Sequence, residues 1–478
     1  MSTAAESINM NVEENEASRI YNLQRAAYKA NPYPSYEERK INLNKLEKIM
    51  VDNQAAIAEA ISKDFGNRAQ QETELIELFL SIDGVRYARK KLKKWMKPQR
   101  RSVSIWFAGA QNKVLPQPKG IVGLIAPWNY PLFLVMSPLA SILASGNRCM
   151  IKMAANSENL AQLLSGLFKE AFNEDMVALL PGVKAADFTP LPFDHIVFTG
   201  SPATGKIIMK TAAENLVPVT LELGGKSPTI VAEDFDIKTA ADRIMQGKFL
   251  NAGQTCVAPD YLFVPESKVD EFIDEAKKSI AKRYANLATK DYTSIIDAKS
   301  YARLNSTMLD AEQKGAAITS LMVGETKDDA SRKIAPHVVT STTADMTLMQ
   351  DEIFGPILPI KPYKDIDEAI NFINDGERPL ALYIFSNDKK LQDKIIKNTL
   401  SGGVCINETV LHAGQHDMPF GGVGNSGMGH YHGQEGFNEF SKLRPIFKQF
   451  KYPALPLLAP PYGKVFNTIY QLMIKLKI

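Results

Sequence analysis

Cysteine is scarce and unpaired in this chain: Cys149, Cys256 and Cys405 form an odd set with no C-x-x-C spacing. That excludes a disulfide framework and a zinc site of the usual ligand spacing, and it points to a reducing, cytoplasmic setting. Charge of one sign is equally lacking. Lys and Arg number 56 against 53 Asp and Glu, which leaves no footprint for nucleic acid. The basic run KKLKKW at 90–95 reads as a solvated helix face followed by a linker. No apolar run is long enough to span a bilayer, and MSTAAESINMNVEENEAS lacks the basic start and apolar core of a secretory signal. The tail GKVFNTIYQLMIKLKI, 463–478, is too short to cross and carries Lys475 and Lys477 near its end. It reads as a helix packed on the body or on a partner subunit, with contact to a membrane surface as the alternative.

What is present is an ordinary globular composition in a chain of 478 residues, room for two or three domains or one large cofactor enzyme. Residues 15–98 carry helical spacing, with Leu43, Leu46, Ile49 and Met50 on one stripe and Leu75, Ile76, Leu78 and Phe79 on the next. From about 114 the texture changes to short apolar runs punctuated by Gly and Pro, including GIVGLIAPW, CMIKM, HIVFTG and VTLELGG, with helix-like stretches such as SENLAQLLSGLFKEAF between them. Buried strands alternating with helices imply parallel sheets covered by helices. A second alternation begins after Gly225, so two α/β domains in series are expected, with Gly224-Gly225 as a hinge.

Four segments could carry chemistry. HIVFTGSPATGK, 195–206, is a strand, a glycine turn and a helix start suited to a phosphate, yet Ile207 replaces the metal-binding hydroxyl of a P-loop and G-x-G-x-x-G is absent. APWNYP, 126–131, holds Asn129 between two prolines, either as a turn residue or as an oxyanion donor. In LELGGKSP, 221–228, Glu222 ends an apolar run and must either pair with a cation or serve as a base. Cys256, in NAGQTC, is either a packed thiol or a nucleophile.

The ordered set APWNYP, FTGSPATG, LELGGKSP, GQTC, EIFGP at 352–356 and PFGGVGNSGMG at 419–429 resembles the aldehyde dehydrogenase superfamily, from about residue 20 to about 450. PFGGVGNSGMGHYHG and the chain length resemble the class 3 branch, and the PALPLLAPPYGKVF tail is most similar to coniferyl aldehyde dehydrogenases within it. The resemblance implies an α/β fold of two Rossmann-like parallel-sheet domains plus a small oligomerisation segment. It places cofactor binding in 1–222, with an excursion near 100–120, catalysis in 223–415, and the return and oligomerisation tail in 416–478.

It further implies NAD(P)-dependent oxidation of an aldehyde to the acid, with Cys256 as nucleophile, Glu222 as base and Asn129 as oxyanion donor. NAD or NADP would meet Pro127, Trp128, Lys152, Gly182, Gly200, Ser201, Leu223, Glu352 and Phe354, and no metal is needed. One departure stands out: the family usually shows Lys-x-x-Glu, whereas this chain reads Lys152-Met153-Ala154-Ala155, with its next acid at Glu158. The substrate would be aromatic or medium- to long-chain aliphatic, with Tyr130, Phe420 and the Tyr431 region lining its tunnel, and the assembly a homodimer. Transfer of the acyl group to coenzyme A and a non-catalytic scaffold of the same fold are the alternatives. Cys149 and Cys405 read as core, and His430 and His432 as part of a glycine-rich loop near the substrate entrance rather than a metal pair.

Overall fold

The structure is a computed structural model that describes residues 15–453 and 455–476. The first 14 residues of the acidic N-terminus, Ala454 and Lys477 therefore lie outside the described residues. Helices dominate the start of the chain, and the first two are begun by side chains that satisfy free backbone N–H groups. Asn15 accepts from the Ser18 N–H ahead of Glu16–Ala30, and Ser35 with Glu38 forms a reciprocal cap ahead of Tyr36–Asp52. Leu43, Leu46, Ile49 and Met50 are buried as one stripe.

The second expected stripe is split. Leu78 is buried, but Leu75 and Phe79 face solvent. The reason is a π-helical turn over Glu74–Phe79, whose wider winding shifts the helix phase and turns Glu77 inward.

Two largely parallel sheets follow. The first, six-stranded, runs in the order Gly427–Met428, Val219–Leu223, His195–Gly200, Ile121–Ala126, Arg148–Met153, Val177–Leu179. The second, seven-stranded, has Tyr261–Pro265 and Pro228–Val231 near its centre and Gly403–Ile406 at one edge. Strands Val219–Leu223 and Pro228–Val231 belong to different sheets, so Gly224 and Gly225 form the link between them. Gly427 pairs antiparallel with Glu222, which returns the end of the chain to the first sheet. Segments Gln99–Arg101, Gln111–Pro118 and Ser441–Lys448 build a separate three-stranded antiparallel sheet.

Cys149 is fully buried, whereas Cys405 is only half-buried because its strand lies at a sheet edge. The tail helix Lys464–Lys475 corrects one expectation: none of its residues is buried, so it does not pack on the body of its own chain. It packs instead on the short turn Leu455–Leu458 and on Tyr462, whose ring lies 5.0 Å from that of Phe466. Among the described residues no helix is long and apolar enough to cross a membrane.

Candidate active site

Cys256 follows a backbone that few sequences tolerate. Asn251, Ala252 and Gly253 all take positive φ, at 53°, 51° and 77°. The two non-glycine residues cost about 1–3 kcal/mol each in that region, so the surroundings must hold them there. Gly253 is obligatory, since a methyl group would overlap the Gly355 carbonyl. Gln254 staples the turn: its Nε2 donates to the carbonyls of Asn251 at 2.9 Å and Ser294 at 3.1 Å, and its Oε1 accepts from the Ile296 N–H at 3.0 Å.

Asn129 is locked to the same turn. Its Nδ2 donates to the Gln254 carbonyl at 3.2 Å, while its own carbonyl accepts from Asn251 Nδ2 at 2.9 Å. The amide is thus buried within two residues of the thiol, which the strand–turn at Ile121–Ala126 and Pro127 delivers from the first sheet.

Behind this contact lies a charge cluster with no recognisable sequence signal. Arg68 is buried, with Nη1 at 2.6 Å from Glu77 and donating to the Asn129 carbonyl at 3.3 Å. Its guanidinium sits 5.0 Å from the Tyr130 ring centre. Glu77 also accepts from the N–H groups of Leu132 and Phe133, and Glu72 accepts from the Asn251 N–H at 2.7 Å. The π-helical turn that misplaced the apolar stripe is what brings Glu77 to this position.

Glu222 answers the choice left open by its sequence context: among the described residues no cation is paired with it and no side chain hydrogen-bonds to it, and only the Gly422 backbone lies close enough to favour its charged form. Burial, with Glu439 adding like-charge repulsion, drives its carboxyl well above the usual range. Burial likewise pushes the Cys256 thiol up to about 12, with Glu352 and Glu222 adding to the effect. Glu352, raised to about 8 by burial and by Asp260, lies directly over Gly224, where a methyl group would overlap its carboxylate. Its loop is held by Lys226, which pairs with Asp260 and donates to the carbonyls of Leu348 at 2.7 Å and Asp351 at 2.9 Å. Lys226 stood inside LELGGKSP and Gln254 inside GQTC, so those motifs carried a signal for them; Arg68, Glu72 and Glu77 offered none as clear.

The residues expected to meet a cofactor fall into two groups. Trp128 meets Phe354 edge-on with ring centres 5.4 Å apart, Leu223 ends the strand that leads into the glycine link, and Glu352 lies over Gly224 within electrostatic reach of Cys256. Gly200 with Ser201, Pro127, Lys152 and Gly182 stand at or just past the carboxyl ends of four adjacent parallel strands. Ser201 caps the helix Pro202–Ala213, and Gly182, at φ 70°, has nothing within 4 Å of where a side chain would begin. An open row along that edge, ending at a reactive thiol, fits an extended dinucleotide, which binds α/β sheets at strand carboxyl ends. Lys152 is half-buried and its Nζ donates to the Met153 carbonyl at 3.2 Å; Ala155 opens a 3-10 turn, and Glu158 is exposed as the first residue of Glu158–Ala171. Among the described residues no group of three or more His, Cys, Asp or Glu is placed to hold a metal ion.

A thiol aimed from a strained turn, an amide beside it, an isolated carboxyl and a dinucleotide edge define a cofactor-dependent enzyme acting through a covalent intermediate. The model of the aldehyde dehydrogenase family matches residues 3–446, and the chain belongs to that family. It is an NAD- or NADP-dependent aldehyde dehydrogenase with two Rossmann-like parallel sheets. It is 45% identical over 467 residues, 97% of each chain, to a protein of Pseudomonas aeruginosa named "Probable coniferyl aldehyde dehydrogenase". The substrate-bound structure of Staphylococcus aureus AldH matches with a TM-score of 0.90 at 36% identity, covering 96% of this chain and 100% of that one. An NAD+ complex of a Bacillus cereus aldehyde dehydrogenase matches with a TM-score of 0.83 at 26% identity, covering 92% and 89%.

Proposed function

We propose that this enzyme oxidises an aromatic aldehyde such as coniferyl aldehyde, or a medium- to long-chain aliphatic one, to the free acid through Cys256. The observation that carries this reading is the thiol fixed beside Asn129 by the strained 251–253 turn, with Glu222 unpaired nearby. The Cys256 thiol gives up its proton to solvent, and the resulting thiolate sulfur bonds to the aldehyde carbon as the C=O π bond opens. Its oxygen takes the charge and is held by Asn129 Nδ2 and the Cys256 N–H, donors already in place before charge develops. A bound nicotinamide supplies the acceptor for the hydride that leaves this carbon. Glu222 then removes a proton from the water that attacks the thioester carbon, the sulfur departs as thiolate, and the acid is released. A carboxyl raised by burial suits this task, since it is a stronger base than an exposed one.

We assign cofactor binding to 1–222, chemistry to 223–415, and return and oligomerisation to 416–478. Three cysteines without a disulfide support a cytoplasmic setting. The exposed strand Ser441–Lys448 and the bare helix Lys464–Lys475 support a homodimer, with a membrane surface as the other contact for the helix.

Rapid-mixing kinetics test the chemistry. Cys256→Ala should abolish turnover while cofactor still binds. Glu222→Gln should release one equivalent of reduced cofactor in a burst, followed by turnover slowed at least a hundredfold. Near-normal turnover in Cys256→Ala sinks the nucleophile, and a missing burst in Glu222→Gln moves Glu222 to an earlier step.

A further inference from the structure

Three charged side chains stand between the two segments that supply the thiol and the amide. Arg68 precedes the short helix Gln70–Thr73, which carries Glu72, and Glu77 stands on the π-helical turn that follows. The side chains of Arg68 and Glu77 are fully shielded from solvent. The Arg68 guanidinium is the centre of the cluster: Nη1 lies 2.6 Å from Glu77 Oε1, and Nε lies 3.6 Å from Glu72 Oε1. The rings of Phe65 and Tyr130 cover it, at 5.2 and 5.0 Å.

Each carboxylate turns its remaining contacts to one side of the site. Glu77 Oε2 accepts from the N–H groups of Leu132 at 2.7 Å and Phe133 at 3.1 Å, where the helix Phe133–Ala144 begins without a capping side chain at its N-cap residue. An anion is favoured there by the free N–H groups and the helix dipole, so Glu77 fixes the segment that carries Asn129. Glu72 faces the other way. Its Oε1 accepts from the Asn251 N–H at 2.7 Å and its Oε2 from the Thr293 hydroxyl at 3.2 Å, which fixes the turn that carries Cys256. Arg68 ties the halves together, since Nη1 also donates at 3.3 Å to the Asn129 carbonyl, the oxygen that accepts from Asn251 Nδ2 at 2.9 Å. Tyr130, against the guanidinium, has its hydroxyl 2.6 Å from that of Thr255, the residue before the cysteine.

We infer that Arg68, Glu72 and Glu77 are positioning residues that set the spacing between the Cys256 sulfur and the Asn129 amide, and with it the hold on the oxyanion. The inference rests on Cys256 being the nucleophile and Asn129 the oxyanion donor, and deepens that reading. Stability alone is a poor reason for the cluster, because apolar residues of the same volume often replace a buried ion pair without loss. Direction is a better one, since charge-assisted hydrogen bonds are short and oriented. The amide itself meets the thiol's turn through one hydrogen bond to Gln254 at 3.2 Å, between segments 125 positions apart, so the frame behind it decides where the amide points. A donor stabilises developing charge only when it is aimed at the place the oxygen will occupy.

Rapid mixing with saturating NAD and either cinnamaldehyde or decanal reads the first turnover. Arg68→Lys keeps the charge but cannot reach Glu72, Glu77 and the Asn129 carbonyl together. It should slow formation of reduced cofactor by about tenfold to a hundredfold, with cofactor Kd and aldehyde KM within about twofold of wild type. Glu77→Gln, of the same shape, should slow it by about tenfold. The decisive comparison is made in Asn129→Ala, where the amide to be aimed is gone: there either substitution should cost less than about twofold. Cofactor titration verifies that each variant is folded, and the cycle run with Glu77→Gln keeps the idea testable if Arg68→Lys misfolds. A first turnover as fast as wild type in either folded variant, or a loss that persists without the Asn129 amide, overturns the positioning role and leaves the proposed chemistry standing. Near-normal turnover in Cys256→Ala overturns that chemistry, and this inference with it.

Discussion

At the scale of single residues, the departure at Ala155 has the clearest consequence. An acid at that position would accept from the adenine-ribose hydroxyls and repel a 2′-phosphate, whereas Ala155 does neither. Glu158 does not substitute for it, because it begins a helix and points into solvent. Lys152 remains half-buried on the same edge, available to a phosphate. The enzyme should therefore use NADP with a kcat/KM within tenfold of that for NAD. Ala155→Glu should lower the NADP value at least tenfold while sparing NAD, a like-charge penalty of about 1–2 kcal/mol in a partly screened site. A strict NAD preference that disappears in Glu158→Ala would show the acid to be Glu158 after all.

At the scale of elements, the link between the two sheets governs how the Glu352 loop sits. Gly224 is the ground on which that carboxylate rests, so Gly224→Ala should push it aside. Because the displaced atoms are the end of a flexible side chain, stability should change by less than about 1 kcal/mol. KM for the cofactor should nevertheless rise about tenfold, which thermal melting and initial rates together measure; a large loss of melting temperature with an unchanged KM would refute it. Much of this element-level plan was legible beforehand. The parallel strands announced themselves as short apolar runs, and Gly224-Gly225, GQTC and APWNYP marked the turns because turns demand particular residue types. What stayed hidden was the Arg68, Glu72 and Glu77 cluster, since polar residues on an amphipathic helix look alike whether they face water or a buried partner. The π-helical turn over Glu74–Phe79 compounds this, since periodicity assumes constant winding.

For the whole molecule, the uneven spread of charge bears on assembly. After Glu439 the chain has Lys442, Arg444, Lys448, Lys451, Lys464, Lys475 and Lys477 and no acid. The overall +3 less this segment's +7 leaves the remainder at −4. A basic, apolar helix that avoids its own body is thus complementary to the acidic body of a second copy, and Tyr470, Leu472 and Ile474 would be covered there. We propose that the tail holds a homodimer: in light scattering at micromolar concentration the full chain should be dimeric and a chain ending after Lys451 monomeric, with aldehyde oxidation still measurable. An unaltered dimer would reject this role for the tail. Pelleting of the full chain, but not the shortened one, with phosphatidylglycerol vesicles would instead assign the helix to a lipid surface.

The Glu72 carboxylate has a consequence for how the protein is made. It accepts from residues 179 and 221 positions later in the chain, at Asn251 and Thr293. Glu222 is completed at a later point in the chain, when Gly427 gives its strand a neighbour on that side. During synthesis the cysteine therefore emerges after Glu72, Asn129 and Asn251 but before Ser294 and Ile296, which fix Gln254, and the base gains its enclosure only once Gly427 has been made. The thiol and the base are thus assembled in two stages, the turn that carries the thiol first and the strand that encloses the base later.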